Sequence, residues 1–125
     1  MLQEHAVAAA YWSAPRNPGK TRWWQSPTIL RHINRLVCGE PLAGAWAGLI
    51  ERMRREKPEG WERGISVACG AGVKEIELVK QGLVRHFDLF EISEARALQG
   101  IELAQRHGVQ DRVSFHICDA FEKVL

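Results

Sequence analysis

The sequence has no apolar run approaching the roughly 20 residues of a membrane span. Its start, MLQEHAVAAAYW, sets no basic residue ahead of a short apolar stretch, so neither a membrane segment nor a secretory leader is read from it. A cytoplasmic location and no membrane partner are the expectations. Cysteine is scarce: Cys38, Cys69 and Cys118 lie far apart, with no C-x-x-C and no histidine at zinc-finger spacing, and they read as reduced thiols. The five histidines, His5, His32, His86, His107 and His116, show no ligand spacing either and read as structural or exposed, so no metal is implied. Charge of one sign is also missing. The 17 basic side chains are scattered among 15 acidic ones for a formal +2, which points away from nucleic acid or an acidic membrane as partner. What remains is 125 residues, 46% hydrophobic and 26% charged, the profile of a soluble globular protein with room for one domain.

Two halves with different patterning are visible. Residues 1–63 are rich in tryptophan, proline and arginine and read as an N-terminal helical segment; residues 64–125 alternate short β-rich runs with helical periods, as βαβ units do. In the first half, Pro15, Pro18 and Gly19 mark a loop. Ser26 followed by Pro27 is an N-cap with proline at the first helical position, and Gly39 ends the helix PTILRHINRLVC. A second helix over AGAWAGLIERMRREK places Trp46, Leu49, Ile50 and Met53 on one face and stops before Pro58. Its basic end, Arg52, Arg54, Arg55 and Lys57, reads as a solvated helix end in which Glu51 pairs with Arg55, since cations favour a helix C-terminus.

The second half predicts strand, helix, strand, helix, strand. GISVAC is the first strand, and VKEIELVKQ a helix with Val73, Ile76 and Val79 on one side. HFDLFEI is the second strand. Ser93 starts the helix EARALQGIELAQRH, with Leu98, Ile101 and Ala104 inward, and RVSFHIC is the third strand. Right-handed crossovers make the strands parallel neighbours, so the loops leaving their C-terminal ends lie along one sheet edge, where such folds bind ligands. Three features meet there. The loop Ala68, Cys69, Gly70, Ala71, Gly72 follows the first strand, Glu91 with Ile92 ends the second, and Asp119 with Ala120 follows the third. Each has a plain alternative: a tight glycine turn, a helix-capping acid, and a cap for AFEKVL. Glu91 lies 19 positions after Gly72, near the roughly 20-residue offset at which a strand-end acid meets ribose hydroxyls. Adenosine presents two vicinal hydroxyl donors and an exocyclic amino donor, and Glu91 and Asp119 are the acceptors those donors need.

In these residues the segment from Gly64 to Glu122 resembles the first half of a class I methyltransferase, the S-adenosylmethionine-dependent family with a Rossmann-like sheet. ISVACGAG resembles its glycine-rich first motif, DLFEIS its acidic second motif, and VSFHICDAFE its third. The resemblance implies that Gly70 and Gly72 line the methionine and ribose part of S-adenosyl-L-methionine. It implies that Glu91 accepts both ribose hydroxyls, that Asp119 accepts from the adenine amino group, and that Ala120 adds a backbone contact. The family's first motif usually carries an acid where Ser66 stands and a glycine where Ala68 stands, which predicts a lost polar contact and a crowding methyl group. The family's sheet has seven strands and this chain stops after the third, so the first strand, normally central, is expected to be an open edge.

The expected fold is therefore α/β, a partial Rossmann-like sandwich of about three parallel strands preceded by helices. The expected activity is methyl transfer from the cofactor to an acceptor that the residues do not define, with no catalytic base assigned. A nicotinamide dinucleotide-binding oxidoreductase module is the alternative that the G-x-G and the strand-end acid also permit. Glu75 argues against it, because it occupies the position of the fingerprint's third small residue. A third reading is a non-catalytic half-domain that pairs with a second copy or a partner chain through its open edge. Tyr11, Trp12, Trp23 and Trp24 flank the proline loop, where an aromatic lid over the cofactor and ordinary packing are both open expectations.

Overall fold

The computed structural model describes residues 2–14 and 22–123. The loop expected at Pro15, Pro18 and Gly19 and the Trp23 side chain lie outside the described residues. Residues 16–60 form one compact unit, and residues 61–125 together with 1–15 form another. Among the described residues no helix is long and apolar enough to cross a membrane.

The first helix is α1, Leu2–Ser13, an alanine-rich segment whose composition favours helix. It groups with the sheet-containing unit. The units divide at Gly60 and Trp61, where the first strand begins, and the N-terminal segment read as residues 1–63 is shared between them.

In the helical unit, α2 spans Pro27–Cys38. The Ser26 hydroxyl accepts from the Ile29 amide, and Gly39 closes the helix at φ 87°, donating to the Arg35 carbonyl. The helix α3, Ala47–Glu56, follows. Arg55 pairs with Glu51 at 3.0 Å as the spacing predicts, and with Glu40 at 2.9 Å. Its guanidinium also donates to the Cys38 carbonyl at 2.6 Å, while Arg52 reaches the Val37 carbonyl at 3.2 Å. The basic end of α3 thus satisfies carbonyls left open at the end of α2. Trp46 does not share a buried face with α3: it is the N-cap residue and 38% exposed, and the buried residue of that helix is Gly48. Asn34, 2% exposed, explains the close approach, because its Oδ1 accepts from the Gly48 amide and its Nδ2 donates to the carbonyls of Leu42 and Gly44.

The other unit is a three-stranded parallel sheet in the order β1 (Trp61–Val67), β2 (Val84–Glu91), β3 (Val113–Ile117). Ile65 pairs with Asp88 and Leu89 with Phe115, and β1 is an edge strand as expected. The crossovers are α4, Val73–Lys80, and α5, Glu94–Arg106, and a short α6, Ala120–Lys123, follows β3. This is a partial Rossmann-like arrangement. Both crossover helices cover the face carrying Ser66, Leu89 and Phe115, where Ile76, Val79, Leu89 and Ala104 are almost wholly buried.

Two details of the helical faces differ from the expected pattern. Val73 and Leu98 are 55% and 53% exposed, and the buried stripe of α5 is Ala97, Gly100 and Ala104. A helix this close to a sheet presents small residues, so a stripe traced through large apolar residues falls one position off. The opposite sheet face is polar at its centre. There Asp88 accepts from Arg63 at 2.7 Å and from His116 at 3.0 Å, His86 lies 3.0 Å from the Ser114 hydroxyl, and His116 stacks on Phe90.

Candidate functional site

The C-terminal edge of the sheet gathers the predicted loop residues. The Cys69 amide extends the β1–β2 ladder by donating to the Phe90 carbonyl, and the Gly72 amide closes a turn on the Cys69 carbonyl. Three residues of the loop adopt left-handed backbone: Ala68 at φ 55°, Gly70 at 64° and Gly72 at 71°. Gly72 is required twice over, by its φ and because an added Cβ would meet Leu89 and Phe115 at 3.0 and 3.2 Å. Ala68 is the one described residue other than glycine with positive φ, in the position where the resembled motif has glycine. Holding alanine there costs about 1 kcal/mol, and strain of this kind concentrates where a ligand is held.

Glu91 ties the loop to the second strand. It is 5% exposed, its Oε2 accepts from the Gly70 amide at 2.7 Å, and its Oε1 accepts from the Ser93 amide at 3.2 Å. The carboxylate therefore does cap the entry to α5, but it also clasps the glycine loop across 21 positions of sequence. Glu75 supplies a second buried carboxylate. It is 3% exposed, accepts from the Ser66 hydroxyl at 2.7 Å and lies 3.4 Å from the Lys74 ammonium. The acid absent from position 66 is thus supplied from α4, opposite the serine. Between these two acids, burial first and the charges of Glu75 and Glu91 second push the Cys69 thiol up to about 12. Cys69 is accordingly a protonated thiol at neutral pH, and all three cysteines are free.

Two hollows open at this edge. The first, about 280 Å³, is lined by Ala68, Cys69, Gly70, Glu91, Ile92, Arg96 and Trp12. The second, about 180 Å³, shares Ala68 and Ile92 with it and adds Val67, Phe90, Cys118, Asp119, Ala120 and Phe121. Of the nine residues expected to contact a cofactor, seven line one hollow or both. The other two, Ala71 and Gly72, pack inward, against Gly100 and against the sheet side chains.

Asp119 is engaged from two sides. Its Oδ1 accepts from the Phe121 amide at 2.8 Å, the capping contact weighed as the plain reading, and its Oδ2 lies 3.1 Å from His5 Nε2. Glu122 approaches the other ring nitrogen of His5 at 3.8 Å. His5, Asp119 and Glu122 come together from opposite ends of the chain, which no short-range spacing signals. The two carboxylates face opposite ring nitrogens of His5.

The helix α1 runs along the site. Ser13 Oγ lies 2.6 Å from Ser93 Oγ, and Arg96 Nε donates to the Trp12 carbonyl at 2.9 Å. Of the aromatic residues considered for a lid, Trp12 lines the first hollow, and Tyr11 packs edge-on against it. Trp24 instead lines an apolar hollow of about 290 Å³ inside the helical unit, with Leu30, Ile33, Ala45 and Trp46. Arg96 was not singled out by the sequence. Its one signal is a basic side chain in the first turn of a helix, where the dipole disfavours it.

No family model matches the chain, and no curated protein matches it.

Proposed function

We propose that the sheet edge binds S-adenosyl-L-methionine and that the chain is a methyltransferase or the cofactor-binding part of one. The observation that carries this reading is the charge around the glycine loop. Gly70 is clasped by the buried Glu91, and Glu75 stands on the first turn of α4, so two carboxylates flank Cys69 with Lys74 against one of them. A dinucleotide would set its pyrophosphate on that loop and helix start, where Glu75 on the first turn of α4 repels it, whereas the strand-end Glu91 suits the ribose of either ligand. A cationic sulfonium is favoured by the same charges.

The donor set suits the rest of such a cofactor. Glu91 uses two of about four lone-pair sites on backbone amides and keeps the others for a vicinal diol. Ala68 and Ile92 form an apolar divide between the hollows, and Asp119 with the Ala120 backbone borders the smaller one, which suits a purine ring. When bound, S-adenosylmethionine supplies an already activated methyl group. The protein's own residues then have mainly to hold donor and acceptor in line.

Calorimetric titration with S-adenosylmethionine, S-adenosylhomocysteine and NAD tests the reading. The two adenosyl ligands should bind and NAD should not. Glu91→Gln and Asp119→Asn should each weaken the adenosyl ligands by roughly tenfold or more, as expected for loss of a hydrogen bond to a charged acceptor. Tight NAD binding with no response to the sulfonium would overturn the proposal in favour of a nicotinamide-dependent oxidoreductase.

A further inference from the structure

Two acids and a histidine meet beside the end of β3. Asp119 follows that strand and Glu122 sits on α6, while His5 comes from the N-terminal half of α1. Asp119 Oδ2 lies 3.1 Å from His5 Nε2, and Glu122 Oε1 lies 3.8 Å from Nδ1. One ligand atom from each of the three side chains lies within 4.8 Å of the others.

The charges of this cluster do not balance among themselves. A neutral imidazole carries one N–H and one lone pair, so it donates to one carboxylate and turns its lone pair on the other. Among the described residues neither acid meets a lysine or an arginine. An imidazolium donates to both acids but leaves the three groups one negative charge in excess, whereas a divalent ion on a neutral ring balances them. Side-chain exposures of 30%, 23% and 53% for His5, Asp119 and Glu122 leave such an ion a path from solvent.

We propose that His5, Asp119 and Glu122 bind one divalent first-row transition ion, with zinc as the test case, which fastens the N-terminal half of α1 to the end of β3. Zinc holds nitrogen and carboxylate oxygen at about 2.0–2.2 Å, so ligand atoms around it stand about 3.3 Å apart. Asp119 is already at that separation from the ring. Glu122, now nearer Nδ1, comes round by turning an exposed side chain, and no distance in the set shortens by more than about 1.5 Å. The imidazole selects this class of ion, since magnesium and calcium prefer shells of six or more oxygens. Three protein ligands leave a fourth position to water, as in open zinc sites. The ion meets Asp119 at Oδ2, so Oδ1 keeps its contact with the Phe121 amide. At its other end α1 is held by Ser13 on Ser93 and by the Trp12 carbonyl on Arg96, so the ion and those contacts fix the helix at both ends. None of these contacts depends on the S-adenosylmethionine reading.

The test is calorimetric titration of the full chain, without an affinity tag, with zinc chloride and with magnesium chloride, together with the visible spectrum of the cobalt-loaded chain. Zinc should bind at one equivalent with Kd of about 1–10 μM, weaker than closed four-ligand sites, and magnesium should show no saturation at about millimolar levels. Cobalt should give weak visible bands and no thiolate charge-transfer band, because the donors are nitrogen and oxygen. His5→Gln, Asp119→Asn and Glu122→Gln should each weaken zinc at least about tenfold. His107→Gln, at the exposed end of α5, should leave it within about twofold, far less than the factor for a lost ligand. Zinc should also slow amide hydrogen exchange in the N-terminal half of α1 in the unaltered chain and not in His5→Gln.

No zinc binding by the unaltered chain, or magnesium bound as tightly as zinc, overturns the proposal without any variant having to fold. A strong thiolate band overturns it by placing the ion on cysteine. Zinc held as tightly by His5→Gln as by the unaltered chain overturns it too. A loss in His107→Gln as large as in His5→Gln means adventitious binding by exposed imidazoles only, and likewise overturns it.

Discussion

Gly100→Ala sets two effects of opposite sign against each other, and their magnitudes decide the outcome. In an exposed helix interior the change removes glycine's backbone freedom and stabilises by about 0.5–1 kcal/mol. At Gly100 a Cβ would fall inside contact distance of the Phe115 ring tip and of the Ala71 carbonyl oxygen. The ring belongs to a side chain in the sheet, but the carbonyl belongs to the loop that Glu91 clasps through Gly70. Relief therefore means lifting α5 or shifting that loop. Overpacking of this kind costs about 1–3 kcal/mol. The clash is at the upper end of that range because one partner is backbone, so the net loss is about 2–2.5 kcal/mol, or about 8–10 °C in Tm for a chain of this length. Thermal unfolding followed by circular dichroism measures it. Adding Phe115→Leu should recover part of the loss in the double variant, with a coupling of about 1 kcal/mol, and leave the part due to Ala71. A Gly100→Ala variant as stable as the parent, or more so, would refute the close approach of α5 to the loop.

Three further outcomes follow from the geometry. Asn34→Ala should destabilise the chain by about 2–4 kcal/mol in denaturant titrations, because it leaves the Gly48 amide and the carbonyls of Leu42 and Gly44 without their partner. Asp88 is held below the ordinary carboxylate range chiefly by the hydrogen bond from His116; burial opposes this, and the hydrogen bond and charge of Arg63 add to the lowering. A folded pKa below the unfolded one gives stability that is present above about pH 4 and lost as pH falls through the folded value. Asp88→Asn should therefore flatten the acid limb of stability against pH while lowering stability at pH 7. Cys69, with its thiol raised to about 12, should resist iodoacetamide at pH 8 and become reactive only as pH approaches that value, as read by mass spectrometry of its peptide.

The parts of the fold legible in the sequence were those governed by local rules. Ser26, Pro27 and Gly39 delimit α2 as cap chemistry requires, Ser93 caps α5, and alternation in the apolar runs located three strands whose parallel order follows from the crossovers. The loop residues and Glu91 were legible for the same reason, since strand ends and their turns are local features. What the sequence hid depends on distant pairings. His5 with Asp119, Ser13 with Ser93 and Trp12 with Arg96 join positions 80 or more residues apart, so no window of sequence contains both members. The buried stripe of α5 was misplaced because Ala97 and Gly100 look like filler until Phe115 is seen against them. Ser66 looked like a loss, and only the fold shows that Glu75 faces it.

The plain and the functional readings of Glu91 are compatible, and the reason lies in its lone pairs. A capping acid needs one acceptor site for the Ser93 amide, and a loop clasp needs one for the Gly70 amide, which leaves one on each oxygen. A ligand diol can therefore be added without breaking either contact, and the loop need not reorganise to receive it. The strain at Ala68 fits the same account: a left-handed alanine persists because the Cys69 amide on the β1–β2 ladder and the Glu91 clasp on Gly70 fix the chain immediately after it. Asp119 differs. Both of its oxygens already meet partners, one of them His5 on α1, so a purine at the smaller hollow has to share or displace that imidazole. On the proposed cofactor reading Glu91 would take the diol without losing its present contacts, whereas the adenine end would depend on how α1 lies, and that difference makes Asp119→Asn the more sensitive probe of α1 and Glu91→Gln the more sensitive probe of the loop.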